Sequence, residues 1–192
     1  METLGKLFGG VNKVKIMRLF LLNPEAVFDT PTVAERCKVS HSTINRELNG
    51  LGAVGVITKK GRNKDKVWQL NPGFPFVNHL RGILKNDLSA RKKELLKQFA
   101  GCGRISLLII SGVFIEDNDS RADLLIVGDN LKKKAIEKVV RSLEAEIGKE
   151  LAYAILDTGD FNYRLNACDK FVRDVLDYPH ERLIDRLHVP VS

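Results

Sequence analysis

Ser42, Asn45, Arg46 and Asn49 are polar residues spaced three and four apart, so at about 100° per residue they gather on one side of a helix. Asn and Arg can form paired hydrogen bonds with the edges of adenine and guanine, and a Ser near a helix start can bond a phosphate. This face, with His41 at its leading end, holds no acid and no large apolar residue. The chemistry it suits is contact with nucleic acid. On the other side, Ile44, Leu48 and Leu51 recur at i, i+4 and i+7, which predicts a helix over 41–51 seated on a core, with Glu47 off to one side.

A second group of residues follows closely. Lys59, Lys60, Arg62, Lys64 and Lys66 place five positive charges in eight residues, with Asp65 the single acid among them. They lie on and between two runs, Gly55 to Lys60 and Lys66 to Leu70, in which Val56, Thr58, Val67 and Gln69 alternate as half-buried strands do. Charge at a hairpin tip can simply blunt an exposed sheet edge. Beside a polar helix face of this composition, phosphate contact is the favoured role.

The preceding elements must position both groups. Lys13 to Leu22 is apolar-rich and predicts a helix that stops before Asn23-Pro24. Thr30 as cap and Pro31 at the first helical position open a short second helix, whose inward side is Val33, Ala34 and Cys37. A tight turn at Val39-Ser40 leads into the polar-faced helix. In this order of elements, residues 13–71 resemble a winged helix-turn-helix domain of the bacterial and archaeal transcription-regulator type. The resemblance implies a double-stranded DNA partner, with His41, Ser42, Asn45, Arg46 and Asn49 in the major groove. Lys59, Lys60, Arg62 and Lys64 would hold the flanking backbone. It also implies a homodimer with half-sites about one helical turn apart.

Asn71-Pro72-Gly73-Phe74-Pro75 breaks the chain. Phe76, Leu80, Ile83 or Leu84, Leu88, Leu95 and Phe99 then form an amphipathic run that Gly101 should end. A helix there would pack on a flanking domain, pair with a second copy, or do both.

Two apolar runs, 104–110 and 122–128, predict buried strands. A helix over 131–149, a strand over 151–156 and a helix from about 167 to 176 follow, giving a small α/β domain. Residues 104–160 resemble the minimal nucleotidyltransferase domain of the polymerase-beta-like superfamily. In that family a Gly-Ser pair holds nucleotide phosphate, and an Asp-x-Asp pair with a third carboxylate holds Mg²⁺ for phosphoryl transfer. Here Gly112 matches the glycine but is followed by Val113. Asp123 matches the second aspartate, while Arg121 replaces the first and is expected to pair with Asp123. Asp157 and Asp160 lie just past the third strand. Gly112 and Asp123 are thus expected to be a vestigial motif, with no catalytic residue, metal or cofactor. Glu116, Asp117 and Asp119 read as a solvated turn, and Cys168, Asp169 and His180 form no nucleophile set.

Composition is consistent with this division. The 192 residues are 44% apolar and 29% charged, with a net charge of +7. Residues 1–70 hold 12 Lys and Arg against 6 Asp and Glu, residues 71–103 hold 6 against 2, and residues 104–192 hold 13 against 16. Positive charge therefore belongs to the first half, where an anionic partner would bind. No apolar run approaches the roughly 18 residues of a membrane span, and no secretory leader is visible, so a cytoplasmic location is expected. Cys37, Cys102 and Cys168 are too scattered for a disulfide framework, and no His lies at ligand spacing from a partner.

The expected fold is α+β: a DNA-binding domain over 1–72, a connecting helix over 73–101 and a nucleotidyltransferase-like domain over 102–192. The expected function is that of a sequence-specific transcriptional regulator, with a possible protein partner on the C-terminal domain and no membrane. The alternatives are a divergent active nucleotidyltransferase, or a DNA-binding antitoxin-type interaction module.

Overall fold

Two helices open the chain, α1 (Glu2–Phe8) and α2 (Val11–Leu22), joined through Gly9 and Gly10. Helix α2 is the helix expected before Asn23-Pro24; α1 was not anticipated. Buried residues run without interruption from Ile16 to Leu21, so α2 is covered on all sides and forms the centre of its unit. Arg18 does not face water as a charged residue in such a run would suggest. It is fully buried and donates through Nη1 to the Glu146 carbonyl (3.0 Å) and through Nη2 to the Leu84 carbonyl (3.2 Å). The computed structural model describes residues 2–61, 67–89, 92–115, 117 and 119–190.

Next come strand β1 (Val27–Asp29), helix α3 (Thr30–Cys37), helix α4 (His41–Val54) and strands β2 (Ile57–Lys60) and β3 (Val67–Leu70). The cap of α3 is Asp29, one residue earlier than expected: its carboxylate accepts the Thr32 N–H at 2.8 Å. Thr30 becomes the first helical residue, and its hydroxyl accepts from the Trp68 indole N–H (3.4 Å). Lys38 ends α3 in the left-handed region (φ 50°), and buried Val39 leads the chain into α4.

The three strands form an antiparallel sheet in the order β1-β3-β2. Phe28 pairs with Trp68, and Ile57 with Leu70. Those four residues are buried, so the core-facing positions of β3 are Trp68 and Leu70, while Val67 and Gln69 are half-exposed on the other face and Thr58 is exposed. Helix α5 (Val77–Ser89) adds Val77 and Leu84 to the same core, whereas Phe76, placed at the head of the expected stripe, is exposed. Helix α6 (Lys92–Gln98) follows and buries Leu95. The residues from Met1 to Leu88, with Arg141–Glu150, form one compact unit; Ser89–Val140 and Leu151–Ser192 form a second.

In the second unit, β4 (Arg104–Ile110) is followed by a short 3₁₀ turn at Gly112–Phe114 and by β5 (Leu124–Asp129). Helix α7 (Lys133–Ile147) begins in this unit and runs into the stretch that belongs to the first. Strand β6 (Tyr153–Leu156), helices α8 (Thr158–Asn166) and α9 (Lys170–Asp177), and strand β7 (Glu181–Asp185) complete it. The sheet order is β6-β5-β4-β7, with β5 and β6 parallel and the other pairs antiparallel. Its central strands β4 and β5 are largely apolar and buried, and Phe161 of α8 with Val172 and Val175 of α9 packs in the core they share.

The helix expected near 167–176 is α9, and α8 before it is a further helix that was not expected. Asp157 caps α8 by accepting the Asp160 N–H, Asp169 caps α9 by accepting the Val172 N–H, and Cys168 turns the chain between them at φ 54°. The protein is therefore α+β, and no helix among the described residues is long and apolar enough to cross a membrane.

Candidate nucleic-acid interface

Helix α4 buries Ile44, Leu48 and Leu51 and exposes His41, Ser42, Asn45, Arg46 and Asn49. All five residues assigned to the reading face are thus on the open side of one helix. Asn45 and Asn49 are one turn apart on that side, as are Ser42 and Arg46. The first turn of α4 carries no side-chain cap among the described residues. Ser40, at the cap position, directs its hydroxyl to Ser42 Oγ (3.0 Å) and Thr43 Oγ1 (3.1 Å) instead. Backbone N–H groups at the helix start remain available to an anion, and the helix dipole favours one there.

Glu47 is not a bystander at the edge of this face. It is buried, with Oε1 accepting from Arg46 Nη2 at 3.2 Å and Oε2 lying 3.8 Å from Lys13 Nζ. The Arg46 side chain is still 77% exposed, so its remaining guanidinium donors are open to solvent. No sequence signal marked this arrangement, because Glu47 is poised between the two helix faces and its second partner comes from α2.

On β2 both Lys59 and Lys60 are exposed, and successive residues of a strand point to opposite faces. Lys59 lies over the Trp68 ring, its Nζ 5.0 Å from the centroid, and its stem shields that indole. Lys60 pairs with Val67 at the tip end of the hairpin and points to the opposite face. Arg62 and Lys64, assigned to the same interface, lie outside the described residues, as do Lys66 and Asp65.

In the second unit the pair Gly112 and Asp123 is brought together as expected, but in a closed arrangement. Asp123 Oδ1 accepts the Val113 N–H and Oδ2 accepts the Ala152 N–H, both at 2.8 Å. The Gly112 N–H goes to Ser120 Oγ at 3.1 Å, and that hydroxyl donates to Asp117 Oδ2 at 2.9 Å. Gly112 has φ +56°, and a Cβ there would fall on Asp123 Oδ1. Glycine is needed because the carboxylate occupies the space over the turn. The backbone amides of Gly112 and Val113 are thus bonded to the protein's own side chains.

Arg121 does not pair with Asp123. Its Nε donates to Asp174 Oδ2 on α9 at 2.9 Å, while the oxygens of Asp123 take the Val113 and Ala152 amides. Asp157 is committed to capping α8, and Asp160 holds Arg164 at 3.0 Å. Asp117 accepts the Asp119 N–H at 3.0 Å as part of the turn, and Glu116 lies outside the described residues. Cys168 is exposed, and His180 is held by the Tyr178 carbonyl (2.9 Å) and Arg182 (3.3 Å), with no nucleophile between them. No group of three or more His, Cys, Asp or Glu among the described residues is placed to hold a metal ion.

Compared with models of protein families, with curated proteins and with solved structures, the chain matches none.

Proposed function

We propose that the protein is a sequence-specific, double-stranded DNA-binding transcriptional regulator whose first unit works as a winged helix. The observation that carries this reading is the exposed side of α4, where Ser42, Asn45, Arg46 and Asn49 stand together with an uncapped helix start and no exposed acid among them. Such a helix fits the major groove, with Asn and Arg matching base edges and the amides at its start matching a phosphate. Lys59 and Lys60, with Arg62 and Lys64 on the connecting tip, would hold the backbone on either side of the hairpin. A homodimer would set two such helices about one turn of DNA apart, roughly 34–36 Å.

The second unit then acts without catalysis of its own, as a dimerisation platform or as the docking point for a protein partner. The internal bonding of Asp123 supports that reading, because a divalent ion would have to displace two backbone amides from the carboxylate.

Selection of bound fragments from a genomic library tests the proposal, followed by titration of the best duplex at several salt concentrations. The expected result is an enriched, two-fold symmetric site. Its affinity should fall with salt at a slope of about −0.9 per neutralised phosphate. A flat salt dependence, or no enrichment over random duplex, overturns the proposal. Incubation with labelled nucleoside triphosphates and Mg²⁺ should leave nucleic acid and protein unlabelled; transfer abolished by Asp123→Asn would make the chain an enzyme.

A further inference from the structure

Between α1, α2, the end of α4 and the start of α5, the first unit has an open-sided pocket of about 510 Å³. Its walls include Phe8, Met17, Leu51, Phe74 and Leu80, with Val54 and Phe76 exposed at its mouth. The volume is in the range of small-molecule sites, which are largely apolar with a few placed polar groups. One described lining residue is charged: Lys13, whose amine is 3.8 Å from Glu47 Oε2.

Gly50 gives an independent indication that this space is meant to stay open. Three glycines occur at the end of α4, and two have structural reasons. Gly55 ends the helix at φ +87°, and a Cβ on Gly52 would press on the Trp68 ring at 3.0 Å. Gly50 lies within the helix, where glycine is unfavourable, and a Cβ there would meet nothing within 4 Å. Gly50 is among the residues lining the pocket, and a long side chain at that position has room to reach across it.

We propose that this cavity is the site of an apolar small molecule bearing one carboxylate, and that its occupation weakens DNA binding. The apolar body would bury against Met17, Leu51, Phe74 and Leu80, and the carboxylate would take Lys13. Charge complementarity selects an anion, since Lys13 is the charged residue of the wall and Glu47 is not part of it. Lys13 drawn to the ligand leaves Glu47, which is buried, with Arg46 as its near cation. Arg46 is then held against Glu47 and less free to reach a base. By reciprocity, DNA that draws Arg46 away leaves Glu47 to hold Lys13 and lowers ligand affinity. The coupling half of the proposal rests on the DNA-binding function; the site itself does not.

Binding is measured on the full chain without DNA, using the fluorescence of 1-anilinonaphthalene-8-sulfonate and its displacement by decanoate, decanol and decylamine. Decanoate should displace the probe at least tenfold more effectively than either uncharged or cationic analogue. Lys13→Met should reduce that preference to about one. Gly50→Leu should abolish probe binding while the unfolding midpoint stays level or rises, as replacing a helical glycine allows. Equal displacement by decanol, or unchanged binding in Gly50→Leu, overturns the site. A saturating concentration of decanoate should then weaken the selected duplex several-fold in the parent chain and not in Glu47→Gln. Decanoate bound with duplex affinity unmoved overturns the coupling and leaves the site. Decanoate bound by a chain that holds no duplex at all overturns the DNA-binding function as well as the coupling, again leaving the site.

Discussion

At the exposed side of α4, Ser42, Asn45 and Asn49 present hydrogen-bonding groups to solvent, whereas at the corner formed by Gly112, Val113 and Asp123 the amides and the carboxylate oxygens are taken up by partners within the protein. Both places were marked by residue types that bind phosphate or bases. The difference lies in whether the fold has already used them. A buried or half-buried polar group without a partner is costly, so a corner of this kind must supply internal partners where no ligand does. Asp123 does that for two amides. The surface of α4 needs few such partners because water serves there, and beyond the Ser40–Ser42 and Arg46–Glu47 contacts an incoming ligand has water to displace.

The largest expected effect comes from opening the closed corner. Asp123→Ala strands the N–H groups of Val113 and Ala152 and should cost about 2–3 kcal/mol of stability, since each bond to a charged acceptor is worth roughly 1.5–3 and this site is partly solvated. Chemical denaturation of the full chain, followed in the second unit, measures the loss. Duplex affinity of the folded protein should stay within twofold of the parent. A silent Asp123→Ala would mean that the carboxylate is free for other work, and the contrast between the two regions would collapse.

At the open face, Arg46→Ala should relax discrimination at one base pair by about 1–3 kcal/mol, with stability nearly unchanged because the side chain is mostly exposed. Competition between the selected duplex and single-base variants reads this directly. Uniform weakening across all variants would instead make Arg46 a phosphate contact. Lys60→Ala should produce that uniform weakening, with the salt slope reduced by about 0.9. Lys59→Ala differs from it in a second readout, losing roughly 0.5–1 kcal/mol of stability as the Trp68 ring loses its cation and cover.

The elements that carry these side chains were legible to different degrees. Helices α2, α3 and α4 declared themselves through apolar spacing and helix punctuation, and the five residues of the exposed face could be placed from a period of 3.6 alone. Strands β1 and β7 could not. Val27–Asp29 is too short to show alternation, and Glu181–Asp185 is half-buried throughout; each becomes a strand by pairing with one distant in sequence. Charged residues were the hardest to place. Arg18 is buried because carbonyls of Glu146 and Leu84 receive it, and Arg121 finds Asp174, 53 positions away. A sequence gives the sign of a charge but not the address of its partner. The Gly112 corner was legible as to which residues meet, and illegible as to how completely they satisfy one another.

The smallest effect at neutral pH concerns a group that belongs to neither region and should stay silent if α3 is as tightly seated as it looks. Burial pushes the Cys37 thiol up to about 12 from its ordinary 9.0, against the opposing pull of Lys15 and Arg36. The thiolate is the nucleophile, so Cys37 should not react with a disulfide reagent at pH 8 while the first unit is folded, and exposed Cys168 should react at once. Because the folded value is raised, this group's contribution to stability is complete below pH 9 and is lost as pH rises from there towards about 12. Denaturation midpoints at pH 8 and pH 10.5 should therefore fall more in the parent than in Cys37→Ala, whose pH 8 midpoint is the reference for the missing side chain. Rapid labelling of Cys37 at pH 8 would show that α3 opens without denaturant. The exposed face of α4, which stands on α3 through the turn at Lys38 and Val39, would then belong to a moving element, and its contrast with the closed corner would be one of rigidity as well as of satisfied bonds.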